Sequence, residues 1–207
     1  MSGINDKDST VMKILDQVPR YQKDVNVKKK KVTAEYGTIY RILQLLPKTV
    51  KLYDIACAEG FICWLAKKAG IVNAKGIEID AGRVERGKKY LGVDVVAGDI
   101  FDNIDKLNYS DVYVFSRFFH NVGAEASRIL MDKLDKKKNF MLIIKYKPGL
   151  KKENGQQREP LATKDGLNTF LESYGLKKKS FPQQVIVAAK GKYVELLPVL
   201  RKHIGEG

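Results

Sequence analysis

The sequence predicts a doubly wound α/β domain, a mainly parallel seven-stranded sheet with a C-terminal antiparallel hairpin strand and extra N-terminal helices. Three observations carry that reading. Short apolar runs alternate with helical patterns through the middle of the chain, the last two runs stand almost back to back, and an acid closes several successive runs. Strands separated by helices imply right-handed crossovers and parallel neighbours. Strands with almost no residues between them pair only as an antiparallel hairpin.

Taken in order, residues 1–34 form a first unit. A polar tail leads to a short helix carrying Val11, Ile14, Leu15 and Val18, which Pro19 interrupts, and then to the basic linker "RYQKDVNVKKKK". The second unit, 35–192, opens with an amphipathic helix marked by Ile39, Ile42, Leu43 and Leu46 and ended near Pro47. Strands are expected at 50–56, 73–79, 93–97, 111–116 and 139–146, with helices at about 61–69, 81–91 and 124–135 between them. A lysine-rich loop over 149–162 precedes a helix carrying Leu167, Phe170, Leu171 and Tyr174. The hairpin strands come next, at about 176–182 and 184–190, and 193–207 reads as a helical tail.

The 207 residues, 44 % of them apolar, are enough for one core domain. A net charge of +14 favours polyanions such as nucleic acid over acidic proteins or neutral metabolites. Cys57 and Cys63 are the only cysteines, too few for a disulfide framework or a zinc site, so both are expected as reduced thiols and small apolar fillers, with no metal. The N-terminus lacks the apolar core of a signal peptide and no run has the length of a membrane span, so a cytoplasmic protein is expected.

The segment "LYDIACAEGF" joins the first strand, ending at Asp54, to a helix starting near Phe61. It lies at the carboxyl edge of the sheet, where open α/β folds bind ligands. Small residues at 56, 58 and 60 let a ligand approach the backbone, and the helix N-terminus offers N–H groups to an anion. The Gly-x-Gly-x-x-Gly spacing of nicotinamide-binding turns is absent. Twenty-four residues beyond Asp54, "GIEID" ends the second strand with Glu78, placed to accept from a ribose diol. "VVAGDIFD" ends the third with Asp99, placed to accept from an exocyclic amine while the Ile100 N–H meets a ring nitrogen.

Together with "DVYVFSRFFHNVG", these segments resemble the successive motifs of the class I S-adenosylmethionine-dependent methyltransferases over about residues 35–190. The resemblance implies a Rossmann-like fold and S-adenosylmethionine as cofactor. It assigns Asp54 and the turn Ala56, Cys57, Ala58, Glu59 and Gly60 to the methionine end. Glu78 and Ile79 fall to the ribose, Asp99 and Ile100 to the adenine, and Ser116, Arg117 and Phe118 to the neighbourhood of the sulfonium. Ala56 and Ala58 stand where that family usually has glycines.

The acceptor is read from the segment after the fourth strand. "SRFFHNV" is neither the (Asn/Asp)-Pro-Pro-(Tyr/Phe) of base-amine methyltransferases nor a Pro-Cys nucleophile, and resembles the Arg-x-x-His segment of enzymes acting on small molecules and some transfer-RNA bases. Against the Lys-Asp-Lys-Glu tetrad of ribose methyltransferases, Lys145 and a lysine among 28–31 fit, whereas Arg117 and Gln184 do not. Candidate catalytic residues are therefore His120, Arg117 and Lys145. His120 is equally readable as a helix cap or a packing partner of Phe118 and Phe119. Lys28, Lys29, Lys30 and Lys31, with Lys147, Lys151 and Lys152, lie in loops expected to border the site as a basic rim for RNA or DNA, RNA being favoured. A small-molecule methyltransferase and a non-catalytic binding module are the alternatives.

Overall fold

The computed structural model describes residues 36–146, 161 and 163–205; the helix expected around Val11–Val18, the lysines Lys28, Lys29, Lys30, Lys31, Lys147, Lys151 and Lys152, and the His120 side chain lie outside them. Seven strands form one sheet: β1 (Leu52–Ile55), β2 (Ala74–Glu78), β3 (Asp94–Ala97), β4 (Val112–Ser116), β5 (Phe140–Lys145), β6 (Lys177–Phe181) and β7 (Val185–Lys190). Their order is β3-β2-β1-β4-β5-β7-β6, parallel except for β7, which runs antiparallel to both β5 and β6. The switch in winding direction falls between β1 and β4. Every strand lies within the segment where the apolar pattern places it.

Among the described residues six α-helices cover the two faces: α1 over 36–45, α2 (Phe61–Lys68), α3 (Ala81–Leu91), α4 (Phe119–Asp135), α5 (Lys164–Ser173) and α6 (Leu196–Ile204). One face packs Ile39, Ile42 and Leu43 of α1 with Leu65 of α2 and with Leu197 and Leu200 of α6. The other packs Leu130 and Leu134 of α4 and Leu167 and Leu171 of α5 against Phe115, Leu142 and Ile186. β5 is buried at every position, as a central strand covered on both faces must be. Residues after β7 are not a detached tail, since Tyr193, Leu197, Leu200 and Ile204 are buried in the same core as Phe181 and Val187. No helix among the described residues is long and apolar enough to cross a membrane.

Two elements depart from the sequence pattern. α4 begins at Phe119 and not near 124, because a first turn is joined to the main helix across a kink at Gly123, whose φ of 81° interrupts the ladder. The β3–β4 crossover holds a six-residue 3-10 helix, Ile104–Tyr109. That segment is fastened from outside by Lys137, whose ammonium donates to the carbonyls of Leu107 at 3.2 Å and Asn108 at 3.0 Å.

Candidate functional site

At the carboxyl edge, the ends of β1, β2, β3 and β4 enclose a cavity of about 490 Å³. This is a volume suited to a cofactor-sized molecule. Asp54, Ala56, Cys57, Ala58, Glu59, Glu78, Ile79, Asp99, Ile100, Ser116, Arg117 and Phe118 all line it. Four separate segments thus converge, as the three strand-end acids suggest.

The turn after β1 is built on left-handed backbone. Ala56 (φ 54°), Ala58 (φ 50°) and Gly60 (φ 75°) all have positive φ, which glycine adopts freely and alanine does at a cost of about 1 kcal/mol. Gly60 itself does not line the cavity. A Cβ there would stand 2.7 Å from a Val95 methyl carbon and 2.9 Å from one of Val93, so the glycine lets the turn seat against β3. Ala58→Gly should relieve left-handed strain while adding about 0.4–1 kcal/mol of unfolded-state entropy. The expected result is stability unchanged or raised by about 0.5 kcal/mol in urea unfolding; a loss above about 1 kcal/mol would mean that the Ala58 methyl group packs usefully.

Glu78 holds this turn to β2. One carboxylate oxygen accepts from Ala58 N–H at 2.8 Å and the other from Asp80 N–H at 3.2 Å. The side chain is buried, and a carboxylate has about four acceptor directions, so capacity remains for hydroxyl donors. Asp99 accepts from Phe101 N–H at 2.9 Å, while its carbonyl takes the Asn103 amide at 2.7 Å; the loop after β3 is fixed by this local turn.

Asp54 differs from both. It is 1 % exposed, and neither carboxylate oxygen has a hydrogen-bond partner among the described residues. Burial, and secondarily the nearby charge of Glu78, push its carboxyl well above the usual range. An orphaned acid in a cavity wall is a feature a native fold keeps where something else supplies the partner.

Arg117 begins the loop after β4 with φ 61°, and strain of this kind concentrates at functional sites. Its N–H donates to Lys145 carbonyl at 2.8 Å and its carbonyl accepts from the Asn121 amide at 2.8 Å. Lys145 is adjacent in register to Ser116 but is not part of the cavity wall; its ammonium donates to Gln183 carbonyl at 2.9 Å. The Cys57 and Cys63 thiols both crowd Gly76 of β2, where a Cβ would meet their sulfurs at 2.7 and 3.1 Å. Burial pushes both thiols up, which disfavours the nucleophilic thiolate.

Several wall residues are not among the candidates that the sequence assigns to the site. Tyr36 and Phe61 meet edge to face, their ring centroids 5.1 Å apart, at one side of the cavity, while Arg83, Phe101, Asn121 and Val122 complete its rim. Asn121 stands inside "SRFFHNV", where its place in that segment could have marked it; Arg83, one turn into α3, belongs to no motif.

The fold is shared by solved methyltransferases. A SAM-dependent methyltransferase from Archaeoglobus fulgidus superposes with a TM-score of 0.59 at 16 % identity, over 78 % of this chain and 94 % of that one. The magnesium protoporphyrin IX methyltransferase of Synechocystis PCC 6803, crystallised with bound SAM, gives 0.53 at 12 %, over 92 % and 100 %. The plantazolicin methyltransferase BpumL, in complex with SAH, gives 0.56 at 13 %, over 89 % and 99 %. No curated protein matches in sequence. Residues 37–141 match the model of the family described as Methionine biosynthesis protein MetW.

Proposed function

The chain belongs to the MetW family, and from that premise we propose that it is an S-adenosylmethionine-dependent methyltransferase acting on nucleic acid, RNA before DNA. One observation carries the cofactor part: the orphaned, buried Asp54 carboxylate in the wall of a cavity also lined by Glu78 and Asp99. The cofactor presents a cationic amino group, a ribose diol and an exocyclic amine, and these three acids are acceptors for such donors. When bound, it supplies a methyl group on a sulfonium already activated for in-line displacement. The chain's part is then positioning, which can account for much of the acceleration without a catalytic dyad. Ser116, Arg117 and Phe118 line the same cavity wall, and the left-handed backbone of Arg117 there supports the reading that the acceptor meets the cofactor beside them.

The nucleic-acid acceptor is supported by the net charge of +14 and by the lysine runs in the sequence. A small-molecule acceptor is the second reading, favoured by the magnesium protoporphyrin IX and plantazolicin methyltransferases among the structural neighbours. Labelled methyl transfer into separated RNA, DNA, protein and metabolite fractions decides between them. Label in RNA is the expected result, and label only in metabolites overturns the acceptor assignment.

Glu78→Ala tests the cofactor assignment. Removing an acceptor from two backbone N–H groups and from the ribose should cost about 1–3 kcal/mol of cofactor binding, roughly a five- to 150-fold rise in dissociation constant by calorimetry. An unchanged constant removes Glu78 from the site. No binding of S-adenosylmethionine or its demethylated product to the wild type at millimolar concentration removes the enzyme reading altogether.

A further inference from the structure

The sheet has a second cavity at its opposite, amino edge, of about 480 Å³ and sharing no wall residue with the first. It lies between the start of β1, β2 and β3 and the 3-10 helix of the β3–β4 crossover, where Lys75 and Asp94 are exposed. Tyr53, Lys75 and Asp94 stand side by side across these three strands, in register. Lys51 joins them from the residue before β1, and Lys106 and Tyr109 from the 3-10 helix.

Three features of this wall have no use in the carboxyl-edge site. Tyr53 is 4 % exposed, yet its hydroxyl is buried with no hydrogen-bond partner among the described residues. A buried phenol normally finds a partner, so the group stands ready for one from outside. Lys51, Lys75 and Lys106 face a single wall carboxylate, Asp94, which lies 3.6 Å from Lys75 in a solvent-screened pair. Tyr109 is 75 % exposed, an aromatic surface left in water at the cavity mouth, and the half-buried Val96 adds apolar wall on the same face of the sheet as Tyr53.

We propose that this cavity binds a small aromatic anion, its ring against Tyr109 and Val96, its anionic group among Lys51, Lys75 and Lys106, and the Tyr53 hydroxyl hydrogen-bonded to it. A ring without charge wastes the cations, and a charge without a ring wastes the tyrosine. Burial pushes the Tyr53 phenol up to about 12, so it keeps its proton and serves as a donor at neutral pH.

The test is calorimetric titration of the full chain with naphthalene-2-sulfonate, with naphthalene-2-methanol and inorganic sulfate as the uncharged and ringless comparators. The sulfonate should bind at least about tenfold more tightly than either comparator, since only it engages the ring surface and the cations together. Tyr53→Phe should weaken it about fivefold while leaving thermal stability unchanged or higher, since it deletes an unsatisfied polar group. The exposed pair change Lys106→Gln with Tyr109→Ala should weaken it about tenfold without unfolding the protein. Excess S-adenosylhomocysteine should not displace the probe. Equal binding of the three compounds, no effect of either variant, or displacement by S-adenosylhomocysteine would each overturn the proposal.

Discussion

Gly87→Ala is expected to be the most damaging small substitution in the carboxyl-edge site, although Gly87 touches no cofactor. A Cβ at that position of α3 would collide with the Glu59 carbonyl oxygen and lie 2.9 Å from its carbonyl carbon. Both are backbone atoms, so no side chain can swing aside. Either α3 or the cofactor turn must move by about 1 Å, and overpacking of that kind costs about 3 kcal/mol at the top of its usual range. For a chain of this length the melting temperature should fall by about 6–12 °C. Because the displaced turn carries Ala58 and Glu59, cofactor affinity should fall at least about tenfold as well. Gly82→Ala is the control: its nearest neighbour is the Asp80 side chain at 3.2 Å, which can shift. A Gly87→Ala protein as stable as wild type would show that α3 does not press on the turn.

Asp54→Asn is the second large effect, and its sign reverses with ligand. In the free protein the Asp54 carboxyl is raised, above all by burial and then by the charge of Glu78. A group raised on folding contributes its stability fully below its unfolded value, about pH 4, and loses that contribution as pH climbs through the folded value. Wild type should therefore lose stability relative to Asp54→Asn as pH rises from about 4 to about 8. At about pH 8 the variant should be more stable by about 2 kcal/mol, the difference between an unpaired buried charge and an unpaired amide. Cofactor binding should go the other way. The variant has no carboxylate for the cationic amino group, so its affinity should drop at least about tenfold at about pH 8. Parallel denaturation curves at all pH values would refute the orphaned-charge account.

Much of this architecture is readable in the chain because it depends on local pattern. β4 and β5, "VYVFS" and "FMLIIK", are unbroken apolar runs that only a doubly covered central strand explains. Asp54, Glu78 and Asp99 stand out as acids near the ends of three successive strand patterns, Asp54 one residue before the end of β1, Glu78 at the end of β2 and Asp99 two residues past β3, and topology alone brings strand ends together. What the chain hides depends on contacts between distant residues. Gly60 reads as a ligand-approach glycine, but its freedom is spent on Val93 and Val95, more than thirty residues away. Lys145 reads as a catalytic lysine at the right strand end, yet its ammonium meets a carbonyl from the terminal hairpin. The start of α4 is invisible to the pattern, since a kinked first turn leaves no 3.6-residue rhythm.

That terminal hairpin has a further meaning for how the chain is made. Its three-residue turn, Pro182-Gln183-Gln184, holds both glutamines in left-handed backbone. The Gln183 side chain reaches back to accept from Thr38 N–H at 2.9 Å, in the first turn described for α1. An amide in the first described turn of α1 is thus satisfied by a residue synthesised 145 positions later. β5, likewise, has only β4 beside it until β7 arrives on its other side. On the ribosome the parallel core can assemble early, but it carries an unpaired edge at β5 and an unsatisfied α1 amide until the terminal hairpin has emerged. A stall or truncation before Val185 leaves that edge open to another nascent copy, so β7 acts as the seal on the edge of the parallel core.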